Sequence, residues 1–78
     1  MFFVYALSST SRNYIYVGLT DNVERRVFQH NSGLNKTTKP YRPFLLIYSE
    51  SFSTRQLARE REIYLKSGAG KEFLRSQL

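Results

Sequence analysis

A chain of 78 residues allows one small domain, 1–78, with a thin core, and six Phe and six Tyr supply that core with large side chains. The absence of cysteine excludes disulfides and thiolate metal sites and fits a reducing, cytoplasmic interior. Twelve Lys/Arg against six Asp/Glu leave a formal charge of +6, which on so small a surface favours a polyanionic partner, nucleic acid before an anionic membrane, although excess charge also serves solubility alone.

Phe2 to Leu7 reads as a strand buried on both faces, being nearly all aromatic, branched or otherwise apolar. The polar cluster Ser8–Asn13 is a turn, and Tyr14 to Leu19 returns as a second, antiparallel strand. Gly18 near its end permits close approach by a ligand or a neighbouring element. Asp21 then has the character of an N-cap with Glu24 as its capping-box partner. The helix it opens, about Asn22 to Asn31, carries Val23 and Val27 on its inner stripe and ends near Gly33. Arg26 and His30, at i and i+4, share one side of that helix.

Leu34 to Pro43 is a loop containing Lys36, Lys39 and Arg42 beside Tyr41. Such a loop either follows a phosphate backbone or is an ordinary solvated connection. Phe44 to Tyr48, extending towards Phe52, is the third strand; five consecutive apolar residues are the pattern of a central strand covered on both faces. That run is far too short to span a bilayer, and the N-terminus lacks the pattern of a signal peptide. Ser53 with Gln56 suggests the capping box of a second helix, which carries Leu57, Ala58, Arg61, Glu62 and Leu65 on one side. Ser67-Gly68-Ala69-Gly70 ends it, and a short last helix, about Lys71 to Gln77, adds Phe73 and Leu74 to the core.

Several residues have the character of a site. Glu62 lies four after Ala58 and three before Leu65, so its carboxylate is set in an apolar helix face, where an unpaired charge is costly. It either pairs with an arginine, reaches solvent at the stripe's edge, or anchors a divalent ion that keeps most of its waters and takes the rest of its shell from a phosphate. Tyr5 and Tyr16 read first as core or rim residues of their strands. A tyrosine can nevertheless accept a proton where nearby cations lower its pKa. Arg26 could supply that charge and hold a phosphate oxygen with its fork of donors, and His30, the single histidine, could relay a proton or orient the nucleophile. No glycine-rich phosphate loop, no nucleophilic triad and no zinc ligand set is present.

Taken together, these residues resemble the GIY-YIG nuclease superfamily, in particular its small stand-alone bacterial members related to the excinuclease nuclease domain. Phe3-Val4-Tyr5 stands at the Gly-Ile-Tyr motif and Tyr16-Val17-Gly18 at Tyr-Ile-Gly. Glu24-Arg25-Arg26 with His30 matches the helix whose catalytic arginine falls on Arg26. Thr38 through Glu50 is similar to the loop and third strand of the stand-alone members, and Arg61-Glu62 followed by Tyr64-Leu65-Lys66-Ser67-Gly68 to their metal-binding glutamate helix. The chain departs from the pattern at Phe3 and Ala6, and it has no clear counterpart of a late asparagine used by some larger members.

The resemblance implies an α+β fold, a three-stranded antiparallel sheet flanked by three helices in the order ββαβαα. It further implies a DNA endonuclease using one Mg²⁺ or Mn²⁺ on Glu62 and a water assisted by tyrosine or histidine. Tyr5 or Tyr16 would take the proton, Arg26 would neutralise the phosphoryl oxygens, His30 would orient water or Tyr16, and Lys36, Lys39 and Arg42 would contact backbone phosphates. Duplex, branched, single-stranded or damaged DNA, and RNA, all remain open as substrates, as do a protein partner or a homodimer. The rival expectation is a nucleic-acid-binding module whose nuclease face is only inherited.

Overall fold

Residues 1–78 are described by a computed structural model. Strand β1 (Phe2–Ser9) pairs antiparallel with β2 (Ile15–Thr20) on one side and with β3 (Phe44–Phe52) on the other, so the sheet order is β2-β1-β3. Helices α1 (Val23–Asn31), α2 (Arg55–Lys66) and α3 (Gly68–Arg75) complete the α+β order ββαβαα, and a single 3₁₀ turn, Lys39–Tyr41, lies in the basic loop. No helix is long and apolar enough to cross a membrane.

Strand side chains point alternately to opposite faces, and in β1 this alternation feeds two separate cores. Val4 and Ala6 join Val17, Ala58, Leu65 and Leu74 on the face covered by α2 and α3. Tyr5 and Leu7 join Phe44 on the opposite face, where Val23 and Val27 of α1 pack with Tyr14, Tyr16 and Tyr41. The four consecutive residues Val4–Leu7 are therefore all buried, as a strand covered on both faces requires.

The third strand differs from expectation. It is an edge, not the centre, and Leu45 and Leu46 are largely exposed. The physical reason is a bulge: Leu7 opposes Leu46 and Ala6 opposes Tyr48, leaving Ile47 without a partner in register. An extra residue reverses the in–out alternation, so a run of apolar residues arises without a second covered face.

Helix ends also move by a residue or more. Asn22, not Asp21, caps α1, its side chain accepting from the Arg25 N–H, while Asp21 pairs with the Arg25 guanidinium at 2.6 Å. Thr54, not Ser53, caps α2 by accepting from the Leu57 N–H. At each junction two adjacent residues have capping side chains, and only the backbone decides between them. Gly33 does end α1: with φ at 77° it donates to the His30 carbonyl while Leu34 donates to Gln29, the paired bonds of a left-handed C-terminal turn. The expected helix stop falls at Ser67, the C-cap of α2, but the last helix starts at once at Gly68 instead of about Lys71, with Ser67 accepting from the Gly70 N–H. Leu57, placed on the inner side by spacing, is half-exposed, and Phe73 is only partly covered.

Two polar ties fix α1 and the basic loop to the sheet. The Asn31 side-chain amide both accepts from the Phe44 N–H (2.6 Å) and donates to its carbonyl (3.3 Å). The β1–β2 turn holds the loop through Thr10 N–H to the Pro43 carbonyl at 2.9 Å.

Candidate active site

Because Tyr16 and Gly18 lie on the α1 face of β2 while Val17 packs beneath α2, groups from the two layers can meet only around the open edge of β2. A concavity of about 400 Å³ lies there, lined by Tyr5, Tyr16 and Gly18 from the sheet, Arg26 from α1, and Arg55, Arg59 and Glu62 from α2, with Leu19 at its side. Four of the five residues singled out from the sequence, Tyr5, Tyr16, Arg26 and Glu62, thus share one hollow.

Tyr5 forms its floor. The ring lies directly over Gly18, the register partner of Tyr5 across β1 and β2. A Cβ built on Gly18 would fall 2.6 Å from the Tyr5 hydroxyl oxygen, so the absent side chain is filled by this ring and not by a ligand. Burial raises the Tyr5 pKa, and the Arg26 guanidinium alongside offsets only part of that rise. The lowered tyrosine pKa expected from Arg26 is therefore not found at Tyr5; desolvation outweighs the neighbouring charge.

His30 does not reach the hollow. It is fully buried behind Tyr5 and Tyr16, with its Nε2 3.1 Å from the Tyr5 hydroxyl and its ring 4.7 Å from the Tyr16 ring centroid. It therefore meets no bulk water, and what it can orient is Tyr5. Its Nδ1 lies 2.8 Å from the Thr38 hydroxyl, which in turn donates to the Asn35 carbonyl. This chain is consistent with the tautomer in which Nδ1 donates to Thr38, whose own proton goes to Asn35, and Nε2 accepts from Tyr5. Burial, then the charge of Arg26, lowers the His30 pKa, so the imidazole is neutral near pH 7. The arrangement can receive a proton from Tyr5 without exposing histidine to solvent.

Arg26 donates to Gln29 Oε1 at 2.7 Å, and its charged form is favoured chiefly by the Tyr5 hydroxyl beside it. It has no carboxylate partner, which leaves a fixed cation at the mouth of the hollow.

Glu62 is 7% exposed, with Oε1 at 2.6 Å from Arg59 and Oε2 at 3.2 Å from Lys66. It has the arginine partner that the plainer reading of the sequence offered, yet the pair faces the tyrosines and Arg26. No three His, Asp or Glu residues gather anywhere into a ligand cage. A single carboxylate suits a divalent ion that keeps several waters and shares a substrate phosphate. The Arg59 and Lys66 side chains are mostly exposed, so they can swing away from the carboxylate at little packing cost.

Lys36, Lys39 and Arg42 are exposed on the loop after α1 and do not line this hollow. A Cβ on Gly33 would fall 2.5 Å from Arg42 Nη1, so Arg42 is folded back over the end of α1. Arg55, Arg59 and Thr38 were not singled out from the sequence. Arg55 and Arg59 lie seven and three residues before Glu62, a spacing that puts them on its side of the helix and was legible. Thr38 reaches His30 only through the fold of the loop, and no sequence signal marks it.

The single sheet, covered by helices on both faces and open at the β2 edge, is the frame of a small α+β domain, and the chain belongs to the GIY-YIG family: the model of the GIY-YIG catalytic domain matches residues 1–73. It is similar to UPF0213 proteins, among them one from Staphylococcus haemolyticus, 41% identical over 81% of this chain and 78% of that one. Another, from Clostridium perfringens, is 37% identical over 85% of this chain and 71% of that one. A solution NMR structure of a UPF0213 protein from Bacillus halodurans superposes with a TM-score of 0.58 at 34% identity, covering 97% of this chain and 84% of that one. At the level of the family this means a nuclease-type hydrolase, a nucleic-acid substrate in general and use of divalent metal ions.

Proposed function

We propose that the protein is a metal-dependent endonuclease hydrolysing phosphodiester bonds in DNA at the cleft beside β2. The observation that carries this reading is the convergence of Tyr5, Tyr16, Arg26 and Glu62 on one hollow open to solvent. Glu62 would hold Mg²⁺ or Mn²⁺; such an ion, when bound, polarises the scissile phosphate and stabilises the leaving oxygen. Arg26 would meet the phosphoryl oxygens as charge builds on them, a contribution of about 10²–10³ in rate for comparable donors. Of the two tyrosines, Tyr5 is the better proton acceptor despite its raised pKa, because its hydroxyl lies 3.1 Å from His30 Nε2, which can take the proton in the tautomer with Nδ1 donating to Thr38. It can take a proton from the attacking water as it passes one to the imidazole, never bearing a full negative charge. Tyr16, across the hollow, would hold the water in line. Lys36 and Lys39 would steer the DNA backbone from the adjoining loop.

Glu62→Gln keeps the side-chain shape and removes the charge. It should lower divalent-metal-dependent nicking of supercoiled plasmid by at least about 10², with DNA binding retained. The opposing reading, a binding module with an inherited face, draws on the engagement of both Glu62 oxygens by cations. A wild-type protein that binds DNA but leaves it uncut with every divalent metal, across pH, would establish that reading and end the first.

A further inference from the structure

The cleft does not stop at Tyr16. A second hollow lies along the β2 edge, lined by Tyr14, Ile15 and Tyr16 on one side and by Lys66 and Lys71 on the other. A third continues from Tyr14 and Ile15 to Lys71 and Arg75. Tyr16 is shared by the cleft and the second hollow; Tyr14, Ile15 and Lys71 are shared by the second and third. The three form one trough along the outer edge of β2. From Gly18 back to Ile15 it follows three residue steps of extended strand, about 10 Å at ~3.4 Å per residue, and it continues past Tyr14 to Asn13 in the turn.

Lys66 on its wall pairs with Glu62, but the two cations beyond it are not neutralised. Lys71 donates from Nζ to the Ile15 carbonyl at 2.9 Å on this edge, and neither Lys71 nor Arg75 has a carboxylate partner. Burial, then the neighbouring charges of Arg75 and Lys66, lowers the Lys71 pKa, so the cluster is held together against its own repulsion. A polyanion laid along it would relieve that repulsion. Tyr14, just before β2, and Tyr16 within it pack against the same core, and Tyr14 is stacked on Tyr41 at 4.0 Å between centroids, with Arg12 over the far ring. Aromatic faces interleaved with cations along a groove are the pattern that holds a single nucleic-acid strand.

We infer that this trough binds a single nucleic-acid strand running on from the scissile phosphate, with Lys71 and Arg75 on its backbone and Tyr14 and Tyr16 beside its bases. The inference rests on the nuclease reading for the position of that phosphate. At ~3.4 Å per stacked nucleotide the strand-lined part of the trough accommodates about three. It lies on the side of Tyr16 away from the α1 loop, so the strand would engage α3, an element to which the chemistry assigns no task.

The test is fluorescence anisotropy of a fluorescein-labelled single-stranded oligonucleotide in EDTA, over a series of KCl concentrations, so that no turnover enters. Arg75→Gln should reduce the slope of log affinity against log salt by about 0.7, the value for one phosphate contact on a single strand. Lys71→Gln/Arg75→Gln should reduce it by about 1.4. Arg25→Gln removes the same charge from an exposed helix site where it pairs with Asp21, and it should leave the slope unchanged. The Arg75 side chain makes no hydrogen bond or ion pair, so that variant tests the trough even if the double variant fails to fold. Equal slopes for Arg75→Gln and Arg25→Gln, or a wild type with no affinity for the single strand, would overturn the inference. Either result leaves the nicking experiment on Glu62 untouched, and uncut DNA there leaves this measurement standing.

Discussion

A neutral imidazole sealed beneath a tyrosine makes the fold itself sensitive to acid. The His30 pKa is lowered from 6.5, by burial first and by Arg26 second. The unfolded chain therefore binds the histidine proton more readily than the folded one. Below about pH 6.5 unfolding takes up a proton and stability falls, continuing to fall until the pH passes the lowered folded value. The wild-type urea midpoint should thus drop between pH 7 and 5. His30→Gln should flatten that part of the profile, carboxylates accounting for what remains. An unchanged acid slope in the variant would mean that the imidazole is not held neutral by burial. The Tyr5–His30–Thr38 chain also separates what was legible from what was not. The i, i+4 spacing put Arg26 and His30 on one side of α1, but spacing carries no depth. Arg26 stops at the rim, and His30 lies wholly inside.

Among the elements, the junction of α2 and α3 shows how two glycines two positions apart do different things. Gly68 opens α3, and a Cβ added there meets nothing within 4 Å. Gly70 sits in the crossing itself, where a Cβ would fall 2.1 Å from the Tyr64 carbonyl oxygen and 2.4 Å from Leu65 Cα. These are backbone atoms that cannot rotate away. Gly68→Ala should leave stability unchanged or raise it by up to about 1 kcal/mol, through helix propensity and a less flexible unfolded chain. Gly70→Ala forces the helices apart and should cost about 1–3 kcal/mol or more; for a domain of this size each kcal/mol is about 4–8 °C in Tm. Thermal melts of the two variants check the contrast, which fails if both move in the same direction. Composition reads Ser-Gly-Ala-Gly as a stop. The chain stops one helix there and starts the next within a single residue, since Ser67 serves both. Local chemistry announced the break and could not announce the tight crossing that follows it. The third strand was misplaced for a similar reason. Five apolar residues look alike in a central strand and in an edge strand carrying a bulge, and only pairing distinguishes them.

At the scale of the whole molecule, the sheet is a partition. On one side it holds Tyr5, Tyr16, His30 and Arg26 with the α1 core; on the other it holds Glu62 with the core under α2 and α3. The two sets meet only at the β2 edge. The presence of the strands and helices was legible from periodicity and caps, and the candidate site residues were named from the family motifs they match. The two-sidedness was not, because it depends on which neighbours β1 takes.

That partition makes β1 a strand that cannot slip. Moving it by one residue would turn Tyr5 towards α2 and bring Val4 and Ala6 under α1. Both cores would then be lost at once, along with the only floor the cleft has. An extra alanine between Tyr5 and Ala6 should give a chain without a cooperative melt by circular dichroism, whereas one between Arg12 and Asn13, in the exposed turn, should keep the melt. Because one strand threads both cores, a misregistered copy has no partly active form to settle into. It is either the nuclease fold or an unfolded chain open to proteolysis.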